Sequence, residues 1–274
     1  LDLQPDIFLA GRELSAPPVD FAGITADLGD LKTLAQSSDG NYHSASGGNG
    51  YVVDLQTDDT YDLYEVNSLY TGGRSCKTKS KKNKVSEGYE EGWGTWSYVG
   101  YEGNNNEEYD LLGTYSFPAN GIVFVEDDFW IEGTIDTAKV TFVAAKFPEL
   151  ESERKNIIIN NDLRYTNYDG QDSIGLISQN DITIGLFSPD VLNIDAALVA
   201  QYGRVGRYNY THANCDISGT AHDESLGTTL NIYGTIATNE AYQFGYNNGN
   251  DLTIDSGYLN QNITYDANLL FGPP

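Results

Sequence analysis

Apolar runs recur at a nearly constant interval through the middle of this chain. Each run has four to eight residues, is rich in Val, Ile, Phe and Tyr, and ends at Gly, Asn or Asp, as short strands do. A fixed period near twenty residues is typical of stacked structural units, because one unit cannot bury its own apolar face. The pattern therefore predicts a mainly β protein, built as a right-handed parallel β-solenoid. Intervals of 17, 17, 17 and 18 residues separate the aligned positions, which we expect to form one interior column: Val123, Val140, Ile157, Ile174 and Leu192.

The acidic composition limits the partners of this 274-residue chain. The 40 Asp and Glu residues against 15 Lys and Arg give a formal net charge of −25. Such a surface repels nucleic acids and anionic membranes, so neither is an expected partner. Hydrophobic residues make up 39% of the chain, and the 29 Gly and 20 Tyr suit a protein rich in turns and half-exposed strands. The acidic composition suits an extracellular protein or one that attracts cations.

Three regions follow from the change of pattern along the chain. Residues 1–70 comprise a lead-in, an amphipathic helix that starts near Asp20, and a β-hairpin, all packed on the solenoid. Residues 71–112 are a polar insertion, and residues 113–274 form the predicted solenoid. No run approaches the ~20 apolar residues that span a bilayer. We therefore expect no membrane contact from this segment, and an anchor upstream of Leu1.

The polar insertion combines a basic run with a cluster of aromatic residues. Six of the 15 bases fall within residues 74–84. This run could dock an acidic neighbour, such as a second copy of the chain, or serve as a solvated loop, which is the commoner role of a charge run. The aromatic residues could stack on sugar rings or grip a protein partner, and could equally cap one end of the solenoid. The candidate contact residues are Trp93, Trp96, Tyr98, Tyr101, Lys81 and Lys82.

The two cysteines, Cys76 and Cys215, lie in separate polar stretches and in no metal-binding motif. We predict one disulfide between them, with two free thiols as the alternative that the sequence leaves open. A bridge across so long a loop would stabilise the fold by ~4–5 kcal/mol in the chain-entropy treatment. It would also hold the two stretches together and imply an oxidising compartment.

Acidic side chains supply the candidates for catalysis and metal binding. Alternation along a strand predicts that Asp128 and Glu132 share one face, where paired carboxylates could cleave a polysaccharide. Since one face of every solenoid strand is polar, a structural role for these acids is favoured, and we predict no catalytic residues. Asp169 and Asp172 lie in a run with oxygen ligands suited to calcium but without the full EF-hand spacing. Calcium is the one cofactor that the sequence suggests.

An ordered series of motifs runs through most of residues 17–274. It begins with PPVDFAGITADLGDLKTLAQ, continues through GIVFVEDDFWIEGTI and LNIYGTIATN, and ends with ITYDANLLFGPP. This series resembles the surface domain of PilX-like pilus-assembly proteins, which are large prepilin-like proteins found especially in candidate-phylum (Patescibacteria-type) bacteria. The resemblance implies an extracellular location and partners among other pilus or surface proteins. Family members usually carry an N-terminal hydrophobic helix, which has no counterpart in this sequence, and the resemblance supplies no catalytic residues.

These observations favour a non-enzymatic, extracellular component, structural or adhesive, of a type IV pilus-like or other cell-surface apparatus. The alternative is a carbohydrate-active β-helix enzyme or a polysaccharide-binding module. An enzyme is expected to bring two or more acids together with Arg or Lys in a groove. A structural solenoid is expected to distribute its acids over its outer corners. The expected partners are pilus or surface proteins, a second copy of the chain, or polysaccharide.

Overall fold

The computed structural model describes residues 24–69, 74–76, 109–210, 215–217, 225–247, 253–270 and 274. These residues form a mainly β protein with one α-helix, in which a curled mixed sheet makes a half-barrel. The sheet has 15 strands, and two further strands form a separate pair. Helix α1 spans Ile24–Ala35, and short 3-10 helices span Glu151–Glu153 and Ala267–Leu270. The strands are β1 (Asn41–His43), β2 (Tyr51–Leu55), β3 (Thr60–Val66), β4 (Arg74–Cys76), β5 (Tyr109–Ser116), β6 (Ile122–Val125), β7 (Phe129–Ile135), β8 (Lys139–Ala144), β9 (Ile157–Tyr165), β10 (Ser173–Ser178), β11 (Ile182–Ile184), β12 (Val191–Ala200), β13 (Val205–Arg207), β14 (Cys215–Ile217), β15 (Leu226–Thr238), β16 (Gly245–Tyr246) and β17 (Ser256–Tyr265).

The predicted hairpin and helix are both present. Strands β2 and β3 pair antiparallel across a short loop, and β5 pairs with the far side of β3. The helix packs Leu28 and Ala35 against the outer surface of β6 and β8, where Phe124 and Val143 are buried. Its predicted start at Asp20 lies outside the described residues. Within the part of the chain that the structure describes, no helix is long and apolar enough to cross a membrane.

Most strands pair in parallel along three ladders. The first ladder joins β1, β6, β8, β10, the second half of β12 and the end of β15. The second joins β2, the first half of β7, the start of β9, β11 and β13. The third joins the ends of β7 and β9 to the first half of β12, then to β15 and β17. From β6 onward the chain therefore visits the first, second and third ladders in rotation.

Side chains on the inner side of the curl form columns along the ladders. In the third ladder, Leu163, Ile194 and Ile232 lie in register, and each is at most 1% exposed. In the first ladder, Phe142 lies opposite Leu176, and both are fully buried. Burial of each such side chain stabilises the fold by ~1.5–3 kcal/mol relative to its exposure. These columns form one continuous hydrophobic core.

The predicted single column of five aligned residues is wrong. Val140 and Ile174 are register partners in the first ladder, as expected, but Val123 is shifted by two residues within that ladder. Ile157 lies in the second ladder and Leu192 in the third. The physical reason is that successive apolar runs belong to different ladders. The interval between the register partners Val140 and Ile174 is 34 residues (174 − 140), twice the repeat read from the sequence.

Four strands, β7, β9, β12 and β15, change ladder without ending, and two of them, β7 and β15, have a glycine at the bend. Gly133 of β7 has a φ of +110°, and a Cβ there would lie 2.3 Å from the carbonyl oxygen of Leu55. A Cβ at Gly234 of β15 would lie 1.8 Å from the carbonyl oxygen of Ala196. Because neither position has room for a side chain, glycine is required where the neighbouring backbone approaches so closely. In β7 and β15 the glycine thus lies where the strand passes from one ladder to the next.

The boundaries predicted at residues 70 and 112 do not separate independent sheets. Strands β1 and β2 belong to the first predicted region, yet they pair in parallel with β6 and β7 of the third. Residue 112 falls inside β5, which pairs with the hairpin strand β3. The hairpin region is therefore part of the main sheet. Residues 1–23 and most of the polar insertion lie outside the described residues.

Candidate functional site

The outer surface of the third ladder carries a row of carboxamide side chains. Register places Asn193 of β12, Asn231 of β15 and Asn262 of β17 side by side. Nδ2 of Asn231 donates to Oδ1 of Asn193 at 3.0 Å, and Nδ2 of Asn262 donates to Oδ1 of Asn231 at 2.9 Å. Asp162 of β9 begins the row, since its Oδ1 accepts from the backbone N–H of Asn193 at 2.8 Å. We call these four residues the carboxamide row.

A cluster of tyrosines and one arginine lies on the same ladder beside the carboxamide row. Oδ2 of the buried Asp195 accepts from the backbone N–H of Tyr165 at 3.0 Å, from Nε of Arg164 at 3.2 Å and from the hydroxyl of Tyr168 at 2.9 Å. The rings of Tyr168 and Tyr233 meet edge to face, with centroids 5.0 Å apart. The Tyr168 ring remains exposed, so it offers an apolar surface next to the amides. We call Arg164, Tyr168, Asp195 and Tyr233 the tyrosine cluster.

The ionisation states of this cluster follow from its contacts. Partial burial, together with the hydrogen bond to Asp195, raises the pKa of Tyr168. Burial and the hydrogen bond that it donates to Asp266 at 3.0 Å raise the pKa of Tyr233. The hydrogen bond with Tyr168 and the negative charge of Asp195 raise the pKa of Arg164. At neutral pH the two tyrosine hydroxyls are therefore neutral and the guanidinium of Arg164 is charged, and these groups lie beside the carboxylates of Asp162 and Asp195.

A second polar row follows the corner between the first and second ladders. Oδ1 of Asp128 accepts from the backbone N–H and the Nδ2 of Asn156, at 2.7 and 2.9 Å. Oδ1 of Asn156 accepts in turn from Nδ2 of Asn180 at 2.9 Å and from the backbone N–H of Asp181 at 3.2 Å. Oδ1 of Asp181 accepts from the backbone N–H of Arg204 at 2.8 Å. Side chains of one turn thus accept hydrogen bonds from the backbone of the next. We call Asp128, Asn156, Asn180 and Asp181 the corner row.

Lys155 brings two carboxylates together at the start of the corner row. Its Nζ lies 2.8 Å from Oδ1 of Asp127 and 3.9 Å from Oδ2 of Asp128. Asp127 also accepts from the backbone N–H and the hydroxyl of Ser46, at 2.9 and 2.7 Å. Burial raises the pKa of Asp128 despite the charge of Lys155. Although burial opposes the change, hydrogen bonds from Lys155 and Ser46 lower the pKa of Asp127. Two acids and a lysine therefore meet here.

Asp128 and Glu132 do not both lie within a strand, contrary to what the alternation had predicted. Strand β7 begins at Phe129, so Asp128 lies in the preceding turn, where its carboxylate holds Asn156. Glu132 lies within β7, opposite Asp54 of β2. The carboxylate that accompanies Asp128 is that of its neighbour, Asp127. The prediction had begun the strand one residue too early.

The two calcium candidates hold separate parts of one turn. Oδ1 of the buried Asp172 accepts from the backbone N–H of Ala138 at 3.2 Å, and its Oδ2 accepts from that of Asn167 at 2.9 Å. The exposed Asp169 accepts from the backbone N–H and the Nε2 of Gln171, at 3.0 and 2.7 Å. Within the described ranges, no three His, Cys, Asp or Glu residues group so that they could hold a metal ion. Calcium binding by Asp169 and Asp172 stays a prediction.

The two cysteines face each other in the separate two-stranded pair. Strands β4 and β14 pair antiparallel, and their register sets Cys76 opposite Cys215. The two polar stretches therefore meet, as the disulfide prediction requires. Opposed Cα atoms in an antiparallel pair are ~4.5–5.5 Å apart, which is within the range of a disulfide. The side chains of these two strands lie outside what the structure describes, and the bond itself stays a prediction.

The candidate contact residues of the polar insertion also lie outside the described residues. They are Trp93, Trp96, Tyr98, Tyr101, Lys81 and Lys82. The contacts expected of them with sugar, or with a protein partner, stay predictions.

The carboxamide row was missed in the sequence, although a signal for it exists. An Asn-Ile pair occurs at residues 193–194, 231–232 and 262–263, and each isoleucine lies in the inner column of the third ladder. The intervals between these pairs are 38 and 31 residues (231 − 193 and 262 − 231). Because the loops at the corners differ in length, an alignment at one fixed period conceals the repeat.

Comparisons with known proteins give no identification. No protein-family model, no curated protein and no solved structure matches this chain. The resemblance to PilX-like pilus-assembly proteins thus rests on the sequence motifs alone. The structural features that bear on function are the carboxamide row, the corner row and the tyrosine cluster.

Proposed function

We propose that this chain is a non-enzymatic, extracellular adhesive module whose outer third-ladder face binds polysaccharide. The observation that carries the proposal is the carboxamide row beside the exposed ring of Tyr168. Amides and hydroxyls donate to and accept from sugar hydroxyls, and an exposed aromatic ring stacks on the apolar face of a sugar. Hydrogen bonds within the row fix the amides before a ligand arrives, which reduces the entropy lost on binding.

The architecture that we propose for this module is a right-handed parallel β-solenoid. Strands that visit three ladders in rotation, each adding a parallel neighbour to the strand one turn earlier, support a coiled path. The polar rows that join successive turns also support it. Connections between parallel strands of one sheet are right-handed in ~98% of cases, which supports the hand.

A place in a type IV pilus-like or other cell-surface apparatus is the wider context that we propose. The motif series and the net charge of −25 support it. Antibody labelling of intact cells tests the location, and we expect label at the surface before permeabilisation. Label that is seen only after permeabilisation would contradict an extracellular role, whatever the chain binds.

Binding measurements on a panel of neutral and acidic polysaccharides test the adhesive role. We expect neutral polymers to bind, because the acidic surface repels anionic ones. Tyr168→Ala and Asn231→Ala should each weaken binding by about tenfold or more, as residues at the centre of a contact do. Tyr242→Ala is the matched control, since Tyr242 is equally exposed but lies elsewhere. Equal loss in the control, or no binding to any polymer, would refute the proposed face.

A carbohydrate-active enzyme is the second candidate, and the meeting of Asp127, Asp128 and Lys155 favours it. The pKa of one carboxyl is raised and that of the other lowered, which is the division that an acid and its partner base require. Both carboxylates are, however, engaged by neighbouring turns. Release of reducing ends or unsaturated products, abolished by Asp128→Asn and retained in Glu240→Gln at an exposed site, would establish the enzyme and overturn the adhesive proposal.

A further inference from the structure

In the part of the chain that the structure describes, the last strand of the third ladder has no strand partner along most of one edge. On one side β17 pairs with β15 along its length. On its other side, β16 covers only Ser256 and Gly257, and the carbonyl of Phe244 accepts the N–H of Tyr258. Among the described strands, none pairs with this second side over residues 259–265. An open edge of this length is a template for another strand.

The hydrophobic core is exposed at the same edge. Ile263 continues the inner column of the third ladder, whose earlier members are fully buried, yet it is 44% exposed. Leu259 and Tyr265 are exposed to a similar degree, and the two-residue period of a strand places them on the same side as Ile263. Stacked repeats ordinarily end in a polar cap. This end instead presents apolar side chains.

Strand β17 carries no charged residue, although the chain as a whole has a net charge of −25. Natural edge strands are usually protected from pairing by charges, lysine above all. By contrast β5, at one end of the strand order, contains Asp110. An edge strand without this protection therefore lies where the core is open. A second copy could approach it without a like charge opposite any residue of the strand.

The free span is self-complementary about its central residue. Residues 259–265 are centred on Asn262, and an antiparallel copy in that register sets Asn262 opposite Asn262 of the second copy. The same register sets Leu259 opposite Tyr265 and Ile263 opposite Gln261. Apolar side chains thus meet apolar ones at both ends. The carboxamide row, whose last described member is Asn262, would continue directly into the row of the second copy.

We propose that β17 docks against β17 of a second copy, antiparallel and centred on Asn262, to form a two-fold dimer. The dimer joins two sheets into one and covers the open end of each core. A single strand pair buries less than the ~1,600 Å² of a standard interface, so the dimer is a weak one. Repulsion between two acidic surfaces opposes it, and salt that screens this repulsion strengthens it. The inference does not depend on polysaccharide binding.

Sedimentation equilibrium of the whole 274-residue chain tests the dimer. From micromolar to near-millimolar concentration we expect a monomer–dimer equilibrium that shifts toward dimer in high salt. Ile263→Lys should weaken association by about tenfold or more, because it places two lysines beside the two-fold axis. Leu111→Lys on the exposed surface of β5 is the matched control and should leave association unchanged. A chain that stays monomeric under all these conditions, or an equal effect of the control, would overturn the proposal.

Cross-linking tests the register independently of affinity. Asn262→Cys would set two thiols opposite each other across the axis, with Cα atoms ~4.5–5.5 Å apart, and mild oxidation should yield a covalent dimer. Asn260→Cys is the matched control, because its own copy would lie four residues away along the strand, or ~13 Å. Both variants retain the native cysteines, so the result is the difference between the two variants in the yield of covalent dimer. Equal cross-linking of the two, or none with Asn262→Cys, would refute the register.

Discussion

Mild acid is expected to destabilise this protein through His43. The ring of this residue in β1 lies between aromatic rings, with its centroid 5.9 Å from that of Tyr61 and 5.0 Å from that of Tyr115. Its Nε2 lies 2.7 Å from the Tyr61 hydroxyl, which already accepts from Nδ2 of Asn41 at 3.0 Å. The hydroxyl proton is therefore free to point at Nε2, which accepts it only in the neutral imidazole. Burial accordingly lowers the pKa of His43 to about 4.

The size of the effect follows from the difference between the folded and unfolded states. His43 has an unperturbed pKa of 6.5, so between that value and about 4 the unfolded chain binds a proton that the folded chain does not. The stabilisation is complete above the unfolded pKa and is lost as the pH falls toward the folded one. Linkage gives a loss of about 2 kcal/mol at a pH of about 5. That loss is a large part of a typical ~5–15 kcal/mol of stability.

Urea denaturation of the wild type and His43→Gln at a pH of about 7 and about 5 measures this loss. Glutamine keeps an oxygen that can accept from the Tyr61 hydroxyl, but it does not titrate. All carboxylates and both other histidines, His212 and His222, are common to the two proteins, so their contributions cancel. The wild type should lose about 2 kcal/mol more than the variant. Equal losses in the two proteins would refute a buried, neutral His43.

Three further predictions concern the core, the carboxamide row and the cysteines. Ile157→Asp should lower the free energy of unfolding by more than ~4 kcal/mol, because it buries an unpaired charge. Asn161→Asp, on the surface of the same strand, should change it by less than ~0.5 kcal/mol, and urea denaturation compares the two variants. Asn231→Ala should lower it by ~1–2 kcal/mol, because two neighbouring amides each lose a partner, and unchanged stability would contradict the row. Mass measurement after alkylation should show Cys76 and Cys215 labelled only when the protein is first reduced, and labelling without reduction would contradict the disulfide.

The elements with a strong local pattern could be predicted from the sequence. The hairpin of β2 and β3 was found because both strands alternate and the polar residues between them form a tight turn. Helix α1 was found because Leu28, Leu31 and Ala35 recur at the helical interval, and the structure packs all three on the sheet. In both cases the information lies within about a dozen residues, so distant contacts did not need to be known.

The pairing between distant strands could not be predicted in the same way. Ile157 and Ile174 lie in similar apolar runs, yet they belong to different ladders, because the position of a strand depends on the lengths of the loops before it. Asp128 was assigned to the strand for a related reason, since one residue decides whether it starts the strand or ends the turn. Lys155 follows Asp127 by 28 residues in the sequence (155 − 127). Their ion pair could not be predicted, because it depends on how the loop that carries Lys155 returns to Asp127.

The order of the strands determines how this protein would respond to a pulling force. Tension applied at residue 265 meets β17 first, and β17 can leave β15 without disturbing β12 or β9. Register partners in these two strands are 31 residues apart (263 − 232), so each detached strand releases about 100 Å of extended chain. A tether made in this way would lengthen in discrete steps under load, while the rest of the sheet stays folded.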